Sequence, residues 1–230
     1  SEITLPTGID NTGKERTAVC CLSSLNIEKY DEWKDDTMFI EDVMRFLDNV
    51  MSDFINRAPD SFSNAKYSAA RERSVGLGVM GLHSFFQQKN IPFGSVMSKV
   101  WNQKIFKHIQ EKADQASVKL AEERGSCPDA EEYGIKERFS NKTAIAPTAS
   151  ISVICGGASP GIEPIAANSY THKTLSGSFN VRNRYLEEIL ENHGKNDDET
   201  WSSITTNQGS VSHLDFLTDL EKDVFKTAFE

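Results

Sequence analysis

The stretch "APTASISVICGGASPGIEP", residues 146–164, combines prolines, small hydroxyl side chains and glycines. A proline followed by Thr148, Ser150 and Ser152 is typical of a helix start, where backbone N–H groups and hydroxyls point outward. Such an N-terminus can hold a phosphate through its N–H groups and the helix dipole. An ordinary capped turn uses the same residue types, and from residues 146–152 alone it is the simpler interpretation.

On both sides of residues 146–164, apolar residues recur at helical spacing over long segments. The predicted helices cover residues 37–57, 95–124, 183–194 and 212–230. Gly125 is placed to end the helix at residues 95–124. The apolar face of this helix comprises Met97, Trp101, Ile105, Ile109, Ala113, Ala116 and Leu120. Two short strands are expected within residues 1–26, and a strand turning into a short helix within residues 141–155. Strands combined with long helices indicate an α/β fold.

The bulk composition excludes several classes of protein. The chain has 230 residues, of which 38% are hydrophobic and 26% charged, and a net charge of −9. This negative net charge argues against sequence-independent binding to nucleic acid, because such binding needs a positively charged surface. No apolar run approaches the length of a membrane span, and nothing resembles a signal peptide, so a cytoplasmic protein is expected.

The cysteines give no metal-binding or disulfide pattern. Their positions are Cys20, Cys21, Cys127 and Cys155, which fit no zinc spacing. Structural disulfides are rare in a cytosolic chain, so an exposed cysteine is expected to be redox-active or inert. The histidines are scattered without partner residues at ligand or triad spacing, and they receive no role.

The segment "GLGVMG" places Gly76, Gly78 and Gly81 at the spacing of a dinucleotide site. The segment before it does not read as a buried strand, and no acidic residue follows at the distance needed to bind a ribose. We therefore expect these glycines to permit close packing of a helix or strand, and an independent dinucleotide-binding oxidoreductase is rejected.

Three segments, in the same order, resemble the large, catalytic subunit of ribonucleotide reductase. They are "SEITLPT" (residues 1–7), "AVCCLSSLN" (residues 18–26) and the opening stretch at residues 146–164. Further resemblance lies in "RSVGLGVMGLHSFF", "THKTLSGSF" and "VFKTAFE". The resemblance spans nearly the whole chain and is nearest to the aerobic class I enzyme. It implies that residues 1–230 form part of a ten-stranded α/β barrel of the ribonucleotide reductase and glycyl-radical type, namely the C-terminal half of the catalytic barrel domain, truncated at both ends.

In that family a finger loop carries an "N-x-C-x-E" triplet, whose cysteine becomes a thiyl radical and abstracts the 3′ hydrogen of the substrate. Its glutamate takes the 3′-hydroxyl proton. The resemblance aligns Glu2 with this glutamate and Ser1 with the residue before it, so the asparagine and the radical cysteine would precede Ser1.

The family also uses two cysteines on neighbouring barrel strands to reduce the 2′ position, and these form a disulfide in each turnover. Cys20 matches the second of them, because the family pattern is a cysteine, one variable residue and then "L-[SA]". Cys21 fills the variable position. Adjacent strand residues point to opposite faces, so only one of this pair can face the substrate. The partner cysteine would lie upstream of Ser1.

The resemblance also assigns the opening stretch to the loop that binds the substrate's phosphates at a helix N-terminus. The expected substrate-binding residues are Ser1, Glu2, Pro147, Thr148, Ala149, Ser150 and Ile151. We expect no metal or cofactor to be bound by residues 1–230.

Three parts of the family's large subunit are not found in the sequence: the N-terminal nucleotide-binding regulatory cone, the paired tyrosines of the radical path, and the C-terminal cysteines that receive electrons from thioredoxin or glutaredoxin. A middle piece of the subunit is therefore expected, arising from a split gene, an extein or an incomplete sequence. The implied partners are complementary fragments of the large subunit, a metal-containing small subunit that supplies the radical, and a ribonucleoside diphosphate. No direct contact with nucleic acid or membrane is expected.

Two alternatives remain open. The chain could be a non-catalytic binding or interaction module that keeps the fold and has lost the chemistry. It could also derive from the cobalamin-dependent class II enzyme, which shares the phosphate loop.

Overall fold

The structure is a computed structural model, and it describes residues 3–174 and 177–230. The chain divides into two compact units. The first unit comprises Ser1–Leu25, Tyr30–Val79 and Gln103–Thr148, and the second comprises Asn26–Lys29, Met80–Asn102 and Ala149–Glu230.

The described residues form a mixed helix and strand structure, in which groups of strands and groups of helices follow one another along the chain. The strands are β1 (Gly8–Ile9), β2 (Glu15–Arg16), β3 (Leu22–Asn26), β4 (Gly76–Met80), β5 (Ser169–Thr174) and β6 (Gly177–Arg182). The helices are α1 (Tyr30–Trp33), α2 (Phe39–Arg57), α3 (Ser63–Glu72), α4 (Leu82–Gln88), α5 (Val96–Arg124), α6 (Pro128–Glu131), α7 (Ile151–Ile154), α8 (Arg184–Asn192), α9 (Asp198–Thr206) and α10 (Asp219–Val224). Short 3-10 turns lie at Ile27–Lys29 and Asp60–Phe62.

In the first unit, β4 is a fully buried strand that pairs with β3. On β4, the Leu77 N–H donates to the Lys142 carbonyl at 2.9 Å, and the Ala144 N–H donates back to the Leu77 carbonyl at 3.2 Å. The expected strand at the start of residues 141–155 is therefore reduced to a single parallel bridge between Leu77 and Thr143. Pro147 lacks an N–H group and cannot continue such a ladder.

The glycines of β4 are packing residues, which confirms the interpretation drawn from the sequence. A Cβ atom added to Gly76 would lie 2.8 Å from the Ala144 Cβ, and one added to Gly78 would lie 2.1 Å from the Ala144 carbonyl oxygen. Only a residue without a side chain lets the two backbones approach so closely. What the sequence did not reveal is that the segment containing them is a buried strand.

The helices at residues 37–57 and 95–124 are confirmed as α2 and α5, and Gly125 follows α5 with a positive φ of 88°. Five members of the expected apolar face of α5 are buried: Ile105, Ile109, Ala113, Ala116 and Leu120. Met97, which was assigned to the same face, is 53% exposed, so the buried stripe does not extend through the first turn of α5.

A buried carboxylate joins α2 and α5 to the segments that flank β4. Asp48 is fully buried, and its oxygens accept hydrogen bonds from Arg73 at 2.6 Å, Arg138 at 2.9 Å and Arg124 at 2.7 Å. Burial raises the pKa of Asp48, but the hydrogen bonds from Arg138 and Arg124 and the charge of Arg73 outweigh it, so the pKa lies below its usual value.

The second unit contains α4, the antiparallel β5–β6 hairpin and the helices α8 to α10. Its core is formed by Leu186, Leu190, Trp201, Ile204, Val211, Leu214, Leu217, Val224 and Phe225. The prediction of a helix over residues 183–194 is confirmed by α8, which begins after the N-cap Asn183.

The prediction of one helix over residues 212–230 is wrong, because within this range only α10 is helical. Val211, Leu214 and Leu217 are buried at a spacing of three, which imitates a helical stripe, but they lie in turns. Thr218 starts the helix through a capping box, in which its side chain accepts from the Glu221 N–H and Glu221 accepts from the Thr218 N–H.

Candidate functional site

The two adjacent cysteines lie immediately before β3, in different surroundings. The second of the two strands expected within residues 1–26 is β3, and it is shorter than predicted because it begins at Leu22, after both cysteines. Cys20 is exposed, whereas Cys21 is half-buried with its Sγ 4.0 Å from the Leu47 carbonyl oxygen of α2. Burial, followed by the neighbouring Cys20, raises the pKa of the Cys21 thiol. A reagent or substrate arriving from solvent therefore meets Cys20 first.

The segment at residues 147–151 is an exposed turn that enters a short helix. Thr148 has a positive φ of 53°, and Ala149 and Ser150 form the turn that precedes α7. Pro147, Ala149 and Ser150 are exposed, and Ile151 is 42% exposed, while Thr148 is buried. The structure thus shows the expected turn into a helix, although α7 is only four residues long. The Ser150 side chain makes no capping hydrogen bond to this helix.

One pair of serines in the second unit, Ser84 and Ser159, holds the chain that follows α7. The Ser159 N–H donates to the Ser84 Oγ at 2.9 Å, and the Ser84 N–H donates to the Ser159 Oγ at 3.1 Å. The Gly81 N–H also donates to the Ser159 carbonyl at 2.7 Å. Sequence reasoning did not single out these serines, although both lie within the segments that carried the family resemblance.

Ser1 and Glu2, the remaining expected site residues, lie outside the described residues. The other two cysteines differ in exposure: Cys127 is buried, with its pKa raised by that burial, and Cys155 is exposed after α7. Among the side chains that the structure describes, which leave out those of residues 1, 2 and 172–176, no cluster of His, Cys, Asp and Glu is placed to hold a metal ion. No helix among the described residues is long and apolar enough to cross a membrane.

Comparison with known proteins identifies the family to which this chain belongs. Residues 1–140 and 129–230 match the family described as "Ribonucleotide reductase, barrel domain", and together these matches cover the whole chain. The chain therefore belongs to the ribonucleotide reductase barrel-domain family, as its motifs had indicated.

Relatives narrow the resemblance to the large subunit. The ribonucleoside-diphosphate reductase large subunit of Invertebrate iridescent virus 6 is 52% identical over 234 residues, which is 100% of this chain and 24% of that protein. A putative large subunit of Frog virus 3 is 42% identical over 100% of this chain and 40% of that protein. The chain thus spans between a quarter and two fifths of the length of these relatives.

A solved structure agrees with these relatives. The class Id ribonucleotide reductase alpha subunit of Actinobacillus ureae matches with a TM-score of 0.84 and 42% identity, over 92% of this chain and 39% of that chain. The vitamin B12-dependent reductase of Thermoplasma acidophilum is also related, at 32% identity over 92% of this chain and 28% of that protein.

Proposed function

We propose that this chain supplies part of the active site of a ribonucleoside-diphosphate reductase, which reduces ribonucleotides to deoxyribonucleotides for DNA precursor synthesis. Its contribution consists of the base Glu2, the redox cysteine Cys20 and the phosphate loop at residues 147–151. The observation that carries the proposal is the exposed Cys20 beside an inward-facing Cys21, in a chain that matches the family over its full length.

The proposed chemistry assigns each residue one step. A thiyl radical on a cysteine upstream of Ser1 takes the 3′ hydrogen of the substrate, and Glu2 accepts the 3′-hydroxyl proton. Cys20 and a second upstream cysteine then give two electrons and two protons to the 2′ position. The 2′-hydroxyl leaves as water and the two sulfurs join in a disulfide. The upstream cysteine that took the 3′ hydrogen then returns it to C3′ and regains its thiyl radical, while Glu2 returns the proton to the 3′ oxygen. An external dithiol, thioredoxin or glutaredoxin, returns the disulfide to two thiols.

The environment of Cys20 suits this role. A redox thiol must be reached by the substrate and then by its partner sulfur, and Cys20 is open to both. The half-buried Cys21, whose burial disfavours its thiolate, is the poorer candidate because the thiolate is the reactive form.

The exposed loop at residues 147–151 suits a diphosphate. The turn at Ala149 and Ser150 is open to solvent and leads directly into α7. Backbone N–H groups at a helix start attract an anion locally, so a phosphate site is compatible with a chain whose net charge is −9.

The proposal implies partners that complete the reaction. The radical comes from a metal-containing small subunit, and complementary segments of the large subunit supply the upstream cysteines and the downstream tyrosines. The proposed location is the cytoplasm.

The test is a reconstitution. The purified chain is mixed with a class I small subunit, a dithiol reductant and a ribonucleoside diphosphate, and deoxyribonucleotide is measured. We expect no product until fragments carrying the upstream "N-x-C" segment and the downstream tyrosines are added. Product from the chain and small subunit alone would contradict the proposal.

Substitution of each cysteine tests the assignment within the reconstituted enzyme. Cys20→Ser should abolish turnover supported by a dithiol, while Cys21→Ser should retain most of it. The opposite result would show that the sequence alignment is displaced by one residue.

The reconstitution assay also distinguishes the two alternatives, a class II fragment and a non-catalytic module, from the proposed function. The B12-dependent relative favours testing adenosylcobalamin in place of the small subunit. Turnover with adenosylcobalamin alone would identify a class II fragment. Absence of turnover under both conditions, with every complementary fragment present, would favour a binding module without the chemistry.

A further inference from the structure

The start of α4 is capped by a serine from a distant segment. The N-cap of α4 is Gly81, which has no side chain to accept from the first N–H groups of the helix. The Ser84 N–H donates instead to the Ser159 Oγ at 3.1 Å, and the Ser159 N–H donates to the Ser84 Oγ at 2.9 Å. With the bond from the Gly81 N–H to the Ser159 carbonyl at 2.7 Å, three hydrogen bonds fix Ser159 to α4.

The segment that ends at Ser159 is also bonded to α7. The N–H groups of Gly157 and Ala158 both donate to the Ser152 carbonyl, at 3.0 and 3.1 Å. Ser152 lies within α7 and is buried, and Ala158 is buried as well. A rotation of α7 would therefore have to break these two bonds or displace Ser159 from α4.

The helix α7 depends on this attachment for its direction. It is a single turn of four residues, and two of its side chains face solvent, Val153 at 58% and Ile154 at 82% exposure. An isolated helical turn is unstable in water. The buried Ser152, with the segment bonded to its carbonyl, is thus the part of α7 that the second unit holds.

We infer that Ser84 and Ser159 are positioning residues for the diphosphate of the substrate. By fixing the segment after α7, they keep the turn at Ala149 and Ser150 in the orientation that meets the phosphates. The inference rests on the proposed function, in which residues 147–151 bind the diphosphate. Both serines are buried, Ser84 at 5% and Ser159 at 2% exposure, so they act through α7 rather than by contact with the substrate.

The test is a comparison of KM and kcat in the reconstituted enzyme. Ser84→Ala removes the acceptor of the Ser159 N–H, and Ser159→Ala removes the acceptor of the Ser84 N–H. We expect each variant to raise the KM for the ribonucleoside diphosphate about 5- to 50-fold, because misplaced backbone donors lose hydrogen bonds to a charged group. The kcat should fall less than about 3-fold, since phosphate contacts persist from the bound substrate to the transition state.

The matched control is Ser117→Ala in the first unit. Ser117 is also buried, and its Oγ accepts from the Arg138 N–H at 3.1 Å, so this variant loses the same kind of hydrogen bond. Its urea midpoint should fall by a similar amount while its KM stays unchanged. A loss of folding alone reduces the amount of active enzyme and lowers the apparent kcat without changing KM. That pattern in Ser84→Ala and Ser159→Ala would overturn the inference, and so would an equal rise in KM in Ser117→Ala.

A second measurement needs only the chain itself. Hydrogen exchange of the Gly157 and Ala158 amides reports the bonds to the Ser152 carbonyl directly. These amides should exchange at least about 5-fold faster in Ser84→Ala than in the natural chain, and at the natural rate in Ser117→Ala. Unchanged exchange in Ser84→Ala would show that the serine pair does not hold α7.

Ser150→Asp, measured in the same enzyme, separates this inference from the proposed function. If Ser150→Asp raises KM and the two serine variants do not, the phosphate loop stands and the positioning role is wrong. If none of the three variants raises KM, the assignment of residues 147–151 to the diphosphate is wrong, and the positioning role fails with it.

Discussion

Two segments of this chain resemble phosphate-binding sequences, and they lie in opposite environments. Residues 76–81 carry glycines at dinucleotide spacing, but Gly76–Met80 is a strand buried along its whole length. Residues 147–151 carry a proline and small hydroxyl residues in an exposed turn. A phosphate needs both N–H groups and room beside them, and beside Gly78 even a methyl group would have no room. Substitutions should therefore disturb folding at the first segment and ligand binding at the second.

The largest effect is expected from Gly78→Ala. The added Cβ would stand 2.1 Å from the Ala144 carbonyl oxygen, so β4 and residues 141–144 would have to separate. We expect a loss of more than about 5 kcal/mol in the free energy of unfolding, measured by urea denaturation. Gly94→Ala is the control, because nothing lies within 4 Å of the added atom. Equal stability of the two variants would show that β4 is not packed as described.

Asp48→Asn should be the next most severe change, because it removes the carboxylate charge shared by Arg73, Arg124 and Arg138. Breaking a buried ion pair leaves charge uncompensated and costs about 4 kcal/mol. Asp53→Asn, which alters an exposed pair with Arg57 on the same helix, should change the stability little. The free energy of unfolding is again measured by urea denaturation. Comparable losses in Asp48→Asn and Asp53→Asn would mean that Asp48 does not stabilise the packing of the segments that flank β4.

A pH-dependent effect is expected at His83, just beyond the buried motif. His83 is fully buried and its Nδ1 accepts from the Ile165 N–H, while burial lowers its pKa to about 4. The unfolded chain binds a proton near pH 6.5, before the folded chain does. The stabilisation is thus complete above pH 6.5 and is lost as the pH falls towards 4, by about 3 kcal/mol in all.

The check is the pH dependence of unfolding in the natural chain and in His83→Asn, which keeps an acceptor but does not titrate. The natural chain should lose more stability between pH 7 and pH 4 than the variant. Parallel curves would show that His83 is not held neutral by burial.

The smallest effect on folding is expected at the exposed segment. Ser150→Asp lies at an exposed helix start without a side-chain cap, so stability should change by less than about 0.5 kcal/mol. Substrate affinity in a reconstituted enzyme should fall, because the carboxylate repels a diphosphate. Ser150→Asn, which is neutral and similar in size, should largely retain it. If Ser150→Asp left the affinity for the diphosphate substrate unchanged, residues 147–151 would not be part of the substrate site.

Sequence reasoning succeeded where one helix face is buried against a core. The segments that became α2 and α5 carry many apolar residues at helical spacing, and both helices were predicted within two residues of their ends. It failed where buried residues lie in turns. Val211, Leu214 and Leu217 have the spacing of a helix, yet each reaches the core from irregular chain, and spacing alone cannot distinguish the two.

The sequence alone determined the family, because several long motifs occur in a fixed order along the chain. It also limited the candidate thiols to Cys20 and Cys21 and the candidate phosphate loop to residues 147–151. Tertiary structure decided which of these candidates solvent can reach: Cys21 turns towards α2, Cys20 does not, and the glycines of β4 are enclosed. Exposure depends on which distant segment packs against a residue, and Ala144 lies 66 positions beyond Gly78. No local pattern around Gly78 contains that information.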